Sequence, residues 1–531
     1  MTALRPLLLV AASALAFGLY ARLEPRWCAL GFAGLVPWLA ALDRARSLRG
    51  ALALGLAFCL AFTLAVFAWF ARGMAIYADA PAAAGFAALL LAAPLLQPQI
   101  LAFAAARHAA GGATARGAAA GVAAWLGVEW AFPKLFGDTL GHGLVASAWL
   151  RQGADLAGAP GLTLALLVSN EALRAALRAG RARPRAALAG AAAAASVAAA
   201  LAGYGAWRLA DLETALAGAP RVRVAAVQAG IARYGRLAAE LGTFDAADAI
   251  VGSHVALTGE ALAGEGVDLL LWPETVYPTT FGAPKSEAGA AFDRAIAGVV
   301  AASGVPLVFG AYDVDPDGSE YNAAFFLERD GEGRVGFDTY RKAALFPLTE
   351  RVPRWLEPLR GALPWLGTWK PGAGTGVVPI ALAGGELRAA PLICYDAVDP
   401  ALAREAVRRG AELLVTLSND SWFPGGAHLH LAVSIFRTLE TRRAQARVTN
   451  TGITALILPS GEVVARAGVG ERGVVVGALP RVRDLTPLAL RVGDPLGPPA
   501  LALALTLALR FSRRGRSTPL SKGTPLRQRR T

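Results

Sequence analysis

Apolar blocks long enough to cross a bilayer crowd both ends of this 531-residue chain and are missing from its middle. A spanning helix needs about 20 mostly apolar residues. Stretches of that kind run over roughly 4–22, 26–42, 50–71, 82–106, 117–132, 160–177, 186–207 and 486–510. The expected organisation is a transmembrane helical domain over 1–210 with about seven spans, then a soluble domain over 220–480. A C-terminal transmembrane helix at 486–510 and a basic cytoplasmic tail over 511–531 follow. The first block could pass for a signal peptide, but further spans follow it, so it reads as a retained helix. The block at 160–177 carries Asn170, Glu171 and Arg174 towards its end. The alternative for "PRAALAGAAAAASVAAALAG" (184–203) is an alanine-rich soluble helix. Counting loops favours a span, because without it the tail and the earlier basic loops would face opposite sides.

Arginines sit between these blocks in a pattern. Arg44, Arg46 and Arg49 follow the second block, and Arg107 and Arg116 follow the fourth. Arg174, Arg178, Arg181, Arg183 and Arg185 surround the end of the sixth, and "RFSRRGRSTPLSKGTPLRQRR" follows the eighth. These are alternate loops, so the positive-inside rule makes them cytoplasmic and sends 220–480 to the other side. For a bacterial chain that is the periplasmic face of the inner membrane. Arg22, Arg26, Arg72 and Arg151 fall in the other set of loops. The net charge of +13 thus reports membrane topology and argues against a nucleic-acid partner. Three scattered cysteines, with no CxxC and no Cys/His cluster, argue against a disulfide framework and against a metal site.

The middle of the chain changes character. "RVRVAAVQAG" (221–230) alternates apolar and polar residues with a period of two, as a strand does. "VDLLLWPET" (267–275), "GVPLVFGAYD" (304–313), "YNAAFFLERDG" (321–331), "ELRAAPLICYD" (386–396) and "AELLVTLSND" (411–420) repeat the scheme. Helical patterns lie between several of them, at 287–303, 400–410 and 428–447. "VTNTGITALILPSGEVVARA" (448–467) reads as two strands joined by a Pro-Ser-Gly turn. Strands alternating with helices make an α/β domain. Polar residues gather where the strands end, at Glu274, Cys394 and Asn419–Asp420, and open α/β sheets place their sites at such carboxyl ends.

Singly, these residues are unremarkable. A lone cysteine is more often packing than nucleophile, and Glu274 after Trp-Pro could be a satisfied turn carboxylate. With 17% of residues charged, Lys342 could be a surface ammonium. Together they could do acyl-transfer chemistry. A nearby lysine favours the thiolate, and a carboxylate can take the thiol proton and later return it. The ammonium, with the backbone N–H after the cysteine, can stabilise a tetrahedral oxyanion. No histidine is required; His254, His428 and His430 sit in no Cys-His catalytic pattern.

"LLLWPETVYP", "YRKAALFPLTERVP", "PLICYDA" and "SNDSWFPGGAHLHLAVSIFRTLETRRAQARVTNTGITALILPSGEVV" resemble the successive signatures of the nitrilase superfamily. With the flanking spans, they resemble its bacterial apolipoprotein N-acyltransferase family over nearly the whole chain. The resemblance implies a nitrilase-like αββα sandwich (a C–N hydrolase domain) inserted between about eight transmembrane helices. It implies Glu274 as general base and acid, Lys342 as oxyanion stabiliser and Cys394 as acyl-carrying nucleophile. Glu350 matches a further glutamate the family needs, Tyr395 supplies a backbone N–H, and Trp422 matches an aromatic beside the site. The chain departs from the family at Asp396, where a glutamate is usual. It also reads "AALFPLTE" for "HLVPFGE" and "WFP" for "WFG".

The implied reaction moves a fatty acyl chain from a phospholipid, phosphatidylethanolamine being the expected donor. The chain passes through a Cys394 thioester to the α-amino group of an apolipoprotein's S-diacylglyceryl cysteine. No cofactor is implied, and a monomer is expected. The segment "RVPRWLEPLRGALPWLGTWKP" (351–371), with Trp355, Trp365 and Trp369 among leucines, reads either as packing or as a lid dipping into the outer leaflet. The rival readings are a membrane-anchored amidohydrolase of the same superfamily, a non-catalytic lipoprotein-binding paralogue and a transporter.

Overall fold

The computed structural model describes residues 4–132, 134–231, 234–264, 266–352, 357–358, 367, 369–422 and 425–516. The tail beyond 516 lies outside them, as do Trp355, Leu356, Leu359, Leu363 and Trp365 of the expected lid. So do Phe423, Pro424 and the side chain of Trp422.

Helices α1 (Leu4–Tyr20), α2 (Cys28–Ala33), α3 (Val36–Leu42), α4 (Leu48–Tyr77), α5 (Ala82–Leu96), α6 (Pro98–Ala109), α7 (Ala115–Ala131), α8 (Ala154–Ala179) and α9 (Pro184–Leu216) come first. Among the described residues, four helical stretches, Pro25–Leu42, Leu48–Tyr77, Leu150–Ala182 and Pro184–Leu216, are long and apolar enough to cross a membrane. The α5–α6 pair makes a fifth if its 48° bend is one span. The expected continuous block 82–106 is therefore broken. Pro98 has no N–H for the ladder, and Gln97 leaves helical geometry (φ −133°, ψ 53°). α8 has a second break at Ala157–Gly158, where Gly158 adopts φ +64° just ahead of Pro160. The polar residues of 160–177 face the bundle interior. Asn170 bonds Leu35 N (2.8 Å) and Gly31 O (2.8 Å), and Glu171 pairs with Arg107 (2.6 Å), which also holds Asp43 (2.8 Å).

The soluble part opens with β1 (Arg221–Gln228), α10 (Tyr234–Leu241), α11 (Thr243–Leu262), β2 (Leu269–Leu271), α12 (Glu287–Ser303), β3 (Leu307–Val314), β4 (Glu320–Arg329) and β5 (Val335–Arg341). It continues with β6 (Val378–Leu382), β7 (Gly385–Ile393), α13 (Pro400–Arg408), β8 (Leu413–Ser418), α14 (Ala427–Thr441), β9 (Ala444–Thr449), β10 (Thr454–Ile457), β11 (Val463–Ala467) and β12 (Gly473–Pro480). α15 (Leu488–Val492) and α16 (Gly497–Arg516) end the described chain. α12 matches its expected bounds because its signals are local. Ser286 Oγ accepts from Gly289 N at the start (3.1 Å), and Gly304 takes φ +69° at the end.

Two six-stranded sheets form, ordered β12-β1-β2-β3-β4-β5 and β11-β10-β9-β8-β7-β6. β1-β2-β3 and β7-β8-β9 run parallel, and the outer strands of each sheet are antiparallel. Alternation decides the faces. Val222, Val224 and Ala226 point inward onto Leu413, Val415, Ala444 and Ala446 of the other sheet. Ala225 and Val227 point outward under α11 and α12. α13 and α14 cover the far side, completing an αββα sandwich.

Three expectations need correction. The helix expected over 428–447 ends at Thr441, Arg442 turns the chain at φ +53°, and 444–449 is a central strand. β5, β6 and β12 were not foreseen. The block 486–510 is not one helix. α15 packs beneath the sandwich, where Arg408 donates to Leu490 O (2.6 Å), and α16 starts only after Gly493. One element belongs to both regions. Leu431, Ile435, Phe436 and Leu439 of α14 share a core with Phe17, Trp38 and Leu162 of the helical part.

Candidate active site

Glu274 follows β2 at a turn held flat against β3. A Cβ on Gly310 would come 2.6 Å from the Glu274 Cα, so only glycine fits there. Lys342 directly follows β5, and Cys394 directly follows β7. The carboxyl ends of the two sheets thus converge on one point. Glu274 Oε1 accepts from Lys342 Nζ (3.0 Å) and Asn322 Nδ2 (2.7 Å), and its Oε2 accepts from Asn419 N (2.8 Å). Lys342 Nζ also donates to Glu350 Oε1 (2.7 Å), whose other oxygen accepts from Phe346 N (2.6 Å). Glu274 and Lys342 are buried, with one ammonium between two carboxylates.

Burial alone would lower the pKa of the Lys342 ammonium, but Glu274, Glu350 and Cys394 outweigh it and hold the charge. For the Cys394 thiol, burial pushes the pKa up, Glu274 adds to that push, and Lys342 opposes it only in part. The thiol therefore keeps its proton at rest. This differs from the thiolate a neighbouring lysine would favour, because Lys342 is already shared by two carboxylates. For this sulfur to act as a nucleophile, a base would have to remove the proton, and Glu274 is the carboxylate that acts on Cys394 most strongly.

Cys394 has φ +48°, a left-handed conformation unusual for a residue with a side chain. A short turn over Cys394–Val398 follows. Asp396 ties this turn to the segment after Lys342. Its Oδ1 accepts from Ala343 N (3.1 Å) and Ala344 N (2.6 Å), and its Oδ2 accepts from Ile393 N (2.9 Å) and Tyr340 OH (3.0 Å). Burial pushes the Asp396 carboxyl up to about 6, while the Ala344 and Ile393 N–H groups pull the other way. Tyr395 reaches the helical part, donating to Leu135 O (2.7 Å), with its ring against Phe346.

Several partners escaped the sequence. Asn322 was visible only as one amide in an apolar strand. His430, set aside earlier for want of a pattern, has Nε2 3.2 Å from Cys394 O and Nδ1 2.9 Å from Asp420 Oδ1. Trp69 of α4 and Phe136 could not be placed beside Cys394 without the fold. They wall a pocket that also touches Cys394, Tyr395, His430 and Val433. α4 is long enough to rise out of the helical bundle to this point. A Cβ on Gly426 would lie 2.6 Å from the Trp69 ring.

Residues 223–484 match the carbon-nitrogen hydrolase family, and residues 7–172 match the apolipoprotein N-acyltransferase N-terminal domain. The chain is 28% identical over 391 residues to the apolipoprotein N-acyltransferase of Chlorobaculum tepidum, covering 68% of this chain and 71% of that protein. It is 29% identical over 370 residues to that of Bdellovibrio bacteriovorus, covering 65% and 63% respectively. Among solved structures it is similar to Saccharomyces cerevisiae Nit3, a nitrilase-superfamily member, at 17% identity and a TM-score of 0.37. That alignment covers 57% of this chain and 96% of the yeast protein.

Proposed function

We propose that this chain, which belongs to the bacterial apolipoprotein N-acyltransferase family of the nitrilase superfamily, transfers a fatty acyl chain through a Cys394 thioester. The donor is a phospholipid, phosphatidylethanolamine being the form we favour, and the acceptor is the α-amino group of a lipoprotein's diacylated N-terminal cysteine. The observation that carries this reading is the cavity beside the nucleophile. Trp69, Phe136, Leu429 and Val433 give it apolar walls, and one of those walls is the upper part of a membrane-spanning helix. A small hydrophilic amide has no use for such walls, whereas an acyl chain does.

Two half-reactions account for the groups present. Glu274 takes the Cys394 proton, and the sulfur attacks the ester carbonyl. The carbonyl oxygen, now negative, is held by Lys342 Nζ and Tyr395 N–H. The C–O bond to glycerol breaks, Glu274 gives its proton to that oxygen, and a lysophospholipid leaves. The lipoprotein amine then attacks the thioester, passes a proton to Glu274, and the sulfur departs and recovers it. The amide product leaves the enzyme unchanged, with ping-pong kinetics. Glu350 keeps Lys342 charged and in place, and Asp396 braces the turn that presents the sulfur.

The segment 1–210 and α16 serve as the membrane part, with about eight spans, and 220–480 does the chemistry. The basic residues between helices support placing the sandwich on the periplasmic face of the inner membrane. The exposed Trp130, Trp149 and Trp207 near its junction with the helices support an interfacial belt at that level. One chain carries every group invoked, which supports action as a monomer.

The reading is tested by intact mass of the purified protein after incubation with phosphatidylethanolamine vesicles, then with a diacylated lipopeptide. The expected result is a fatty-acyl adduct that the lipopeptide discharges as a triacylated product and that is absent in Cys394→Ala. Free fatty acid with no triacylated peptide would make the protein a hydrolase instead.

A further inference from the structure

We propose that His430 is a positioning residue that grips the Cys394–Tyr395 peptide by its carbonyl and thereby aims the Tyr395 N–H at the reacting carbonyl oxygen. The proposal rests on the reading of Cys394 as acyl carrier. His430 stands in the first turn of α14, and both its ring nitrogens face acceptors: Cys394 O at 3.2 Å and Asp420 Oδ1 at 2.9 Å. With its hydrogen on Nε2, the ring donates to the Cys394 oxygen, while Nδ1 is fixed by Asp420 and Arg447.

Asp420 is itself immobilised. Its Oδ1 accepts from Ser418 Oγ (2.7 Å), and its Oδ2 accepts from Arg447 Nη2 (2.9 Å), which also lies 3.2 Å from His430 Nδ1. The carboxylate rests on Gly452, where any Cβ would come 2.1 Å from Oδ2. Burial works against its charge, but Arg447 and His430 overcome that and hold the Asp420 carboxyl well below the usual range. A fixed anion thus orients the imidazole, and the imidazole holds the nucleophile's own carbonyl.

The consequence follows from the peptide group. It is planar and trans, so fixing the Cys394 oxygen fixes the direction of the Tyr395 N–H on the opposite edge. A hydrogen bond to the oxygen also polarises the amide and makes its N–H a stronger donor. Cys394 sits at φ +48°, where the backbone does not stay of its own accord. An ordinary helix-start histidine would support packing alone. This one acts on the oxyanion donor.

The test uses the full chain in detergent, with His430→Ala, His430→Gln and Asp420→Asn beside the wild type. Thermal melting identifies the variants that fold. Adduct formation is followed by intact mass with phosphatidylethanolamine labelled with 13C at the ester carbonyl. Infrared difference spectra then read the stretch of the labelled thioester. A tenfold to hundredfold slower adduct in His430→Ala is expected, with the thioester stretch moved up towards that of a free thioester. His430→Gln, which can still donate one hydrogen, should recover part of both. Should His430→Ala fail to fold, His430→Gln and Asp420→Asn carry the same comparison. A folded His430→Ala with wild-type rate and an unmoved stretch overturns the proposal. Iodoacetamide labelling of Cys394 separates it from the acyl-carrier reading. If the wild type takes no acyl chain, that reading fails, yet labelling at least fivefold slower in His430→Ala still supports the clamp, and equal labelling overturns it.

Discussion

Two buried ionic clusters, one at the site and one at the junction with the membrane helices, are mirror images in charge. At the site, one cation, Lys342, stands between two carboxylates, Glu274 and Glu350. Where the sandwich meets the membrane helices, one carboxylate, Asp155, stands between two guanidiniums, Arg208 and Arg442, each at 2.8 Å. The junction is closed. Tyr204 OH fills the other Asp155 oxygen (2.6 Å), and Arg442 spends further N–H groups on Gln152 and Pro459. At the site, the surplus charge is a carboxylate, and a protonated thiol lies within its field. The same ingredients hold the molecule together in one place and are set to react in the other. The sign of the excess and the presence of a proton to move decide which.

The sharpest way to break this contrast is Lys342→Met. Two buried carboxylates then lose their shared cation, and the oxyanion loses a donor. Adduct formation on Cys394 should fall by about a thousandfold or more, with about 3–5 kcal/mol of stability lost. Intact mass and thermal melting read the two effects. Arg442→Met should cost a similar amount of stability, about 3–5 kcal/mol, because buried Asp155 loses one of its two guanidiniums and Gln152 and Pro459 lose their donor. Its adduct rate, measured below the melting transition, should stay within about threefold of wild type, since no group at the site has changed. A large fall would show that the junction also sets where α14 presents His430.

How far the sequence spoke for itself follows the same division. The strands leading to Glu274 and Cys394 were legible because apolar runs stop there at proline or a polar turn. The site's wider shell was not. Arg442, Gln445 and Arg447 fall within the helix expected over 428–447, yet all three are buried and the last two stand on a strand. Their polarity is absorbed by partners such as Thr416 and Ser434, which accept from Gln445 (2.7 and 3.0 Å), and only tertiary structure supplies those. β5 was missed for the opposite reason. It is an edge strand, largely exposed, and carries no apolar run. Helix breaks were written locally as Gln97–Pro98 and Gly158–Ala159–Pro160. What the second break needs was not, for Ala159 N donates to Glu440, far along the chain.

Asp396 sharpens the comparison by a smaller effect, and pH reads it. In the folded protein it keeps its proton up to about pH 6, whereas the unfolded chain releases it near 3.9. Between those values the native state binds more protons, so the stability this group contributes is lost as pH rises through the window. The change is about 3 kcal/mol and is complete about one unit above pH 6. Wild type and Asp396→Asn should therefore differ in melting temperature by an amount that changes between about pH 4 and 7 and is constant above that. A constant difference throughout would mean that the carboxylate is not penalised by burial and that its four donors satisfy it fully.

The smallest effect belongs to an ion pair that resembles both clusters in chemistry and neither in setting. Arg334 pairs with Asp330 (3.0 Å) in the β4–β5 turn, where both side chains are exposed. Water already satisfies each partner, and salt screens what attraction remains. Arg334→Ala should leave both melting temperature and adduct rate unchanged within error. If it did not, burial would no longer explain why Lys342 and Arg442 matter, and the contrast would have to rest on their particular hydrogen-bond partners instead.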